Sequence, residues 1–229
     1  MRKFVLPLLF ALLATSASAS TVTATAGSSF TIDFNGIVDI SGAARVQRGL
    51  SAQADFDFTS WSYNGGTNRT TVVFDITITN TSNPGVWQNA VVTAIGFGTN
   101  PNALRASTTG VFSKFVSGGR FPTGAGFNVE YCASGNRFNC NGPGNTPLNV
   151  GQSGVATVTM TFAGNISTLD FSNFGIRWQS LTSRELHLWG RSGIGTEVST
   201  PPIPEPASMA VFALGALVVG AALRKRASA

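Results

Sequence analysis

Thr70-Thr71-Val72-Val73-Phe74-Asp75-Ile76-Thr77-Ile78-Thr79-Asn80 repeats with a period of two. Val72, Phe74, Ile76 and Ile78 fall on one side of an extended chain; Asp75, Thr77 and Thr79 fall on the other. Successive side chains of a strand point to opposite faces, so this alternation predicts an antiparallel strand with one buried and one solvated face. The pattern recurs outward from it. Phe56 and Phe58 alternate with Asp55 and Asp57, and Val158, Met160 and Phe162 alternate with Thr157, Thr159 and Thr161. Phe174, Ile176 and Trp178 alternate with Arg177 and Gln179. Turn-forming runs separate such segments: Asn64-Gly65-Gly66, Asn83-Pro84-Gly85, Gly118-Gly119 and Asn141-Gly142-Pro143-Gly144. No central segment has an amphipathic period of 3.6. The expectation is an all-β fold, an antiparallel β-sandwich of jelly-roll or immunoglobulin-like arrangement, over residues 20–199. Without a strict internal repeat, solenoids and propellers are set aside.

Composition agrees. Of the 229 residues 43% are hydrophobic and only 11% charged, whereas soluble domains average about 25% charged. Chains that stay disordered combine high net charge with few apolar residues, which is the opposite balance. A helical bundle would need Glu, Lys and Arg for its polar faces. The formal charge of +5 and the pI of about 9.9 raise the question of nucleic acid. Arg2 and Lys3 at one end and Arg224, Lys225 and Arg226 at the other supply the excess. Residues 20–204 hold ten basic and nine acidic groups, and nine of the ten are singly scattered arginines, with Lys114 the exception. No basic stripe follows a phosphate backbone in this order of residues, so no nucleic-acid partner is expected.

The two ends read as addresses. Residues 1–19 place Arg2 and Lys3 before an apolar run, followed by Ala17-Ser18-Ala19, a small-x-small site for signal peptidase. The expectation is a cleaved signal peptide, passage through the secretion translocon, and an exported chain starting at Ser20. An uncleaved anchor is the alternative, but an apolar run of about 11 residues is short for a span of roughly 20. At the other end, residues 200–206 form a Pro-rich linker containing Pro204-Glu205-Pro206. Residues 207–223 carry no charge, and as a helix they would reach about 25 Å, enough for a thin bilayer. Residues 224–229 begin with Arg224-Lys225-Arg226, which the positive-inside rule holds in the cytoplasm. Both ends put the folded part outside the inner membrane.

This tail resembles the PEP-CTERM sorting signal of Gram-negative bacteria on Pro204-Glu205-Pro206, the apolar segment 207–223 and Arg224-Lys225-Arg226. The resemblance implies recognition by exosortase, a membrane cysteine transpeptidase, with cleavage near the motif. The protein would be transiently anchored in the inner membrane and then surface-bound or extracellular. The logic is that of signals whose hydrophobic tail is removed. An ordinary tail anchor is the alternative.

Cys132 and Cys140 are the only cysteines. In an exported chain they most simply form a disulfide that pinches a loop; free or redox-active thiols are the alternative. Without a local His they make no zinc site. The middle region also resembles the cistern family of PEP-CTERM proteins on Ser29-Phe30-Thr31-Ile32-Asp33-Phe34-Asn35-Gly36 and the Cys132/Cys140 pair. Asn141-Gly142-Pro143-Gly144 and Phe174-Gly175-Ile176-Arg177-Trp178-Gln179-Ser180 extend that likeness. It implies no activity.

Chemistry is sparse. His187 is the only histidine, and as part of a strand it would share a face with Glu185 and Trp189. A Glu–His pair can serve acid–base catalysis, but a surface cross-strand pair is the preferred reading. No Gly-x-Ser-x-Gly elbow is present. Asp33, Asp39, Asp55 and Asp57 offer calcium-type oxygens without the spacing of a calcium loop. Trp61, Trp87, Trp178 and Trp189 are candidates for sugar stacking or for the core. Asn68, Asn80 and Asn165 stand in Asn-x-Ser/Thr sites that carry little meaning in a bacterium. The expectation is a non-enzymatic protein without cofactor or metal, structural or adhesive within extracellular polysaccharide or biofilm. A carbohydrate-binding module and a β-sandwich hydrolase are the alternatives.

Overall fold

The computed structural model describes residues 20–40, 43–121, 127–135, 140 and 148–198. Eleven strands follow one another there: β1 (Val22–Ala24), β2 (Ser29–Ile40), β3 (Ala43–Asn64), β4 (Arg69–Thr79), β5 (Asn89–Asn100), β6 (Arg105–Gly110), β7 (Lys114–Phe121), β8 (Phe127–Ser134), β9 (Ser153–Ala163), β10 (Leu169–Ser183) and β11 (Leu188–Glu197). All pair antiparallel in one sheet of order β6-β9-β4-β3-β2-β11-β10-β5-β8-β7. β1 pairs with 169–171 of β10, beyond the stretch 175–183 of that strand where β11 lies. The two edge strands, β6 and β7, are consecutive in the chain and joined by only residues 111–113. A linker that short holds the edges near each other at one end, so the sheet curls until it is nearly closed as a barrel or sandwich. The expected all-β sandwich is thus built by one continuous sheet facing itself. The signal peptide 1–19 and the segment 207–223 lie outside the described residues, and no helix among the described residues is long and apolar enough to cross a membrane.

The stretch that opened the sequence argument is β4. Val72, Phe74, Ile76 and Ile78 are fully buried, and pairing with β9 runs unbroken from Arg69↔Ala163 to Thr79↔Ser153. Its outward side is polar, with Thr157 Oγ1 of β9 donating to Asp75 at 2.6 Å, and the neighbouring β2–β3 pair repeats the motif, with Thr31 Oγ1 donating to Asp55 at 2.6 Å. The core between the facing halves is rich in phenylalanine. Phe171 of β10 stands 5.5 Å from Phe58 and Phe97, 5.6 Å from Phe74 and 5.7 Å from Phe30, centroid to centroid. Rings from β2, β3, β4, β5 and β10 therefore meet at one point, which ties strands distant in sequence to a single cluster.

Two buried polar side chains tie loops to the sheet. Asn80 donates through Nδ2 to the carbonyls of Ala90 at 2.7 Å and Leu148 at 3.0 Å. Thr70 donates to the Gly164 carbonyl at 2.7 Å and accepts from the Ile166 amide at 3.1 Å. Burial without partners would cost about 1–3 kcal/mol per group, so these bonds are a condition of the loops closing where they do.

The β2–β3 pairing is interrupted. Asn35 opposes Ser51, yet Ile37 opposes Val46, so Gly36 alone faces the four residues 47–50. Leu50 folds across Gly36, and a Cβ there would overlap the Leu50 side chain. Gly36→Val is expected to cost about 1–3 kcal/mol by overpacking, read as a lower midpoint in urea denaturation. A midpoint equal to that of the parent would show that Leu50 does not depend on this gap.

Of the predicted turns, Asn64-Gly65-Gly66 and Asn83-Pro84-Gly85 are turns. Gly118-Gly119 instead lies inside β7, with Gly118 at φ 75°. Asn141-Gly142-Pro143-Gly144 is outside the described residues.

Candidate functional site

Arg177 was expected on a solvated strand face, yet it is only 4% exposed. The register explains the position. A row of paired residues crosses the sheet from Val46 through Ile37, Ile194, Arg177, Ala94 and Ser134 to Lys114. Ile194, Arg177, Ala94 and Ser134 are buried, while their neighbours Ile176 and Trp178 belong to the phenylalanine core. Ala94, Ile194, Phe121, Val129, Cys132 and Cys140 form a second, smaller cluster. What covers it is Cys140, bonded to Cys132 of β8 with their Cα atoms 6.2 Å apart. Gly119 makes room, since a Cβ there would overlap Cys140 Sγ.

The expected disulfide is therefore present, and it holds Cys140 against the sheet rather than merely pinching a loop. Arg177 Nη1 donates a hydrogen bond to the Cys140 carbonyl. Burial pushes the Arg177 pKa down from its ordinary value to about 10, which leaves it a cation at neutral pH. Its Nε and the hydroxyl of Thr93, at the bulge in β5 where the pairing with β10 shifts, are buried without partners. The sequence offered no signal of this arrangement, because an arginine alternating with Ile176 and Trp178 reads as solvated.

The other candidates are dispersed. His187 is an exposed residue of the β10–β11 turn at φ 52°, so it does not share a strand face with Glu185 and Trp189 as expected. Only Trp189 lies in β11, and a left-handed residue ends the alternation. Glu185 instead faces Arg48, Oε1 to Nη1 3.7 Å. Asp33 accepts from Gln53 Nε2 at 3.0 Å, Asp55 from Thr31, and Asp57 stands directly opposite Asp75. Among the described residues no three of His, Cys, Asp and Glu gather as metal ligands.

Trp87 and Trp178 are core residues. Trp61 is half-buried and donates to the Ile166 carbonyl at 2.8 Å. Trp189 is 62% exposed, the most exposed of the four tryptophans. Asn80, one of the three Asn-x-Ser/Thr positions, is buried in the loop network described above. Ala17, Ala19, Pro204, Glu205, Pro206, Arg224, Lys225 and Arg226 lie outside the described residues.

Fold and bridge together define an all-β domain whose disulfide holds Cys140 against the sheet. The comparison that classifies the chain falls on its tail: the family model described as PEP-CTERM protein-sorting motif matches residues 202–226. The chain carries a PEP-CTERM protein-sorting motif, and that motif implies export and exosortase processing. Comparison with curated proteins and with solved structures returned no match.

Proposed function

We propose that this protein is a non-enzymatic component of the bacterial cell surface or extracellular matrix. It would be exported through the translocon, trimmed by signal peptidase after Ala19, held transiently in the inner membrane of a Gram-negative cell and released by exosortase. The observation that carries the reading is the sorting motif at 202–226, read with the apolar segment 207–223 and the basic residues 224–226. The structural or adhesive role is supported by a rigid aromatic core under a largely polar outer face. His187, the only histidine, sits exposed on the β10–β11 turn. The kinship with the cistern family rests on residues 29–36 and on the Cys132–Cys140 bridge.

The test is intact mass and C-terminal peptide mapping of the protein recovered from its host, fraction by fraction. The surface or medium fraction is expected to end near Pro204–Pro206 and to lack 207–229. Glu205→Ala is expected to leave the full chain in the membrane fraction. A parent protein retaining Arg224-Lys225-Arg226 in the inner membrane of cells with active exosortase would overturn the sorting reading.

A further inference from the structure

We propose that the rim formed by Arg45, Arg48, Arg184, Arg191 and Trp189 binds a carboxylate-bearing polysaccharide. These residues are scattered in sequence, and the fold assembles them. The four-residue excursion 47–50 of β3 carries Arg48 toward the β10–β11 turn, where it reaches Glu185 at 3.7 Å. Arg184, next to Glu185, donates its amide to Gln88 Oε1 at 2.7 Å, and Trp87 beside Gln88 donates to the Arg48 carbonyl at 3.1 Å. Arg45 opposes Val38, which opposes Gly193, two residues beyond Arg191 and four beyond Trp189. All four arginines are exposed, as is Trp189.

Charge is therefore distributed unevenly over a central region, residues 20–204, whose ten basic and nine acidic groups nearly cancel. Four of the nine central arginines share this rim with two carboxylates, Glu185 and Asp39. Asp33, Asp55, Asp57, Asp75, Glu130, Asp170 and Glu197 lie elsewhere. Planar guanidinium groups pair with carboxylates through two parallel hydrogen bonds. A bare indole offers a flat face for the apolar side of a sugar ring and an N–H for its hydroxyls. A uronate residue presents both requirements at once. A nucleic acid would place a phosphate every few ångströms along its path, more negative charge than four arginines beside two carboxylates can match. The inference deepens the surface reading above and rests on it for the encounter with extracellular polymer.

The test is calorimetric binding of the purified full chain, in mild detergent, to polygalacturonate, with dextran as the neutral glycan and single-stranded DNA as the other polyanion. Binding to polygalacturonate without binding to dextran is expected. Arg45→Gln/Arg191→Gln is expected to weaken it at least tenfold and Trp189→Ala at least threefold, with Trp189→Phe recovering most of the loss. Arg69→Gln/Arg105→Gln, on β4 and β6 at the opposite end of the strands, is expected to change it less than twofold. No binding to polygalacturonate, an equal loss in the Arg69/Arg105 variant, or tighter binding of DNA would each overturn the proposal. Sorting is not needed in this assay, so its failure and that of the peptide mapping are told apart.

Discussion

Phe171→Ala lowers the free energy of unfolding by about 3–5 kcal/mol, the range for deleting a buried phenylalanine. The ring is fully buried. Besides the neighbours at 5.5–5.7 Å, it lies 5.9 Å from Phe56 in an edge arrangement and 6.4 Å from Phe174 in a stacked one. The loss combines transfer of the ring to water with the cavity left among aromatic walls. Those walls belong to strands of a nearly closed sheet and are poorly placed to collapse inward. Aromatic pairs add about 0.5–1.5 kcal/mol beyond area burial, which puts this position toward the upper end. Trp189→Ala, on the exposed rim, is expected to stay within about 0.5 kcal/mol of the parent. Urea denaturation of both variants checks the contrast, and comparable losses would refute the assignment of Phe171 as the centre of the core.

Removing the bridge by Cys132→Ser/Cys140→Ser costs about 2–3 kcal/mol on chain-entropy grounds, since only eight positions separate the cysteines. The structural consequence is more particular. Cys140 covers the cluster of Ala94, Phe121, Val129 and Ile194 and accepts the hydrogen bond of Arg177. Freed from Cys132, it no longer shields Arg177 from water. Arg177 is expected to resist phenylglyoxal in the oxidised protein and to react when the bridge is absent, with the adduct located by peptide mass. Equal protection in both forms would show that the bridge does not hold the cover.

The pH dependence carries its own sign. Burial holds the folded-state pKa of Arg177 at about 10, well below the ordinary guanidinium value, so folding disfavours the charged form. The penalty is fully present at neutral pH and is relieved as pH rises through about 10. Arg177→Met should therefore flatten that part of the stability profile, which denaturation at successive pH values would follow.

How far each feature could be read depended on whether it was local. The period of two in β4 was visible because burial on one side of a strand is written in alternate residues. β3 and β9 were visible in the same way. The turns at 64–66 and 83–85 follow from Gly, Asn and Pro within a few residues. Where alternation met a left-handed residue, as at His187, or a disulfide-held Cys140 lying against the sheet, as at Arg177, the local rule gave the wrong environment. Alternation reports which side a residue takes, and it is silent on what covers that side.

The sequence by itself determined the all-β class, the pairing of the only two cysteines, and the sorting motif at 202–226. Each is carried by composition, by spacing or by a contiguous motif, and none needs knowledge of distant contacts. Tertiary structure alone decided that one sheet closes on itself through consecutive edge strands. It also decided that the disulfide buries an arginine and that arginines at 45, 48, 184 and 191 meet at one rim beside an exposed tryptophan. Those outcomes depend on strand order and register, which arise from hydrogen bonding and packing between segments distant in sequence.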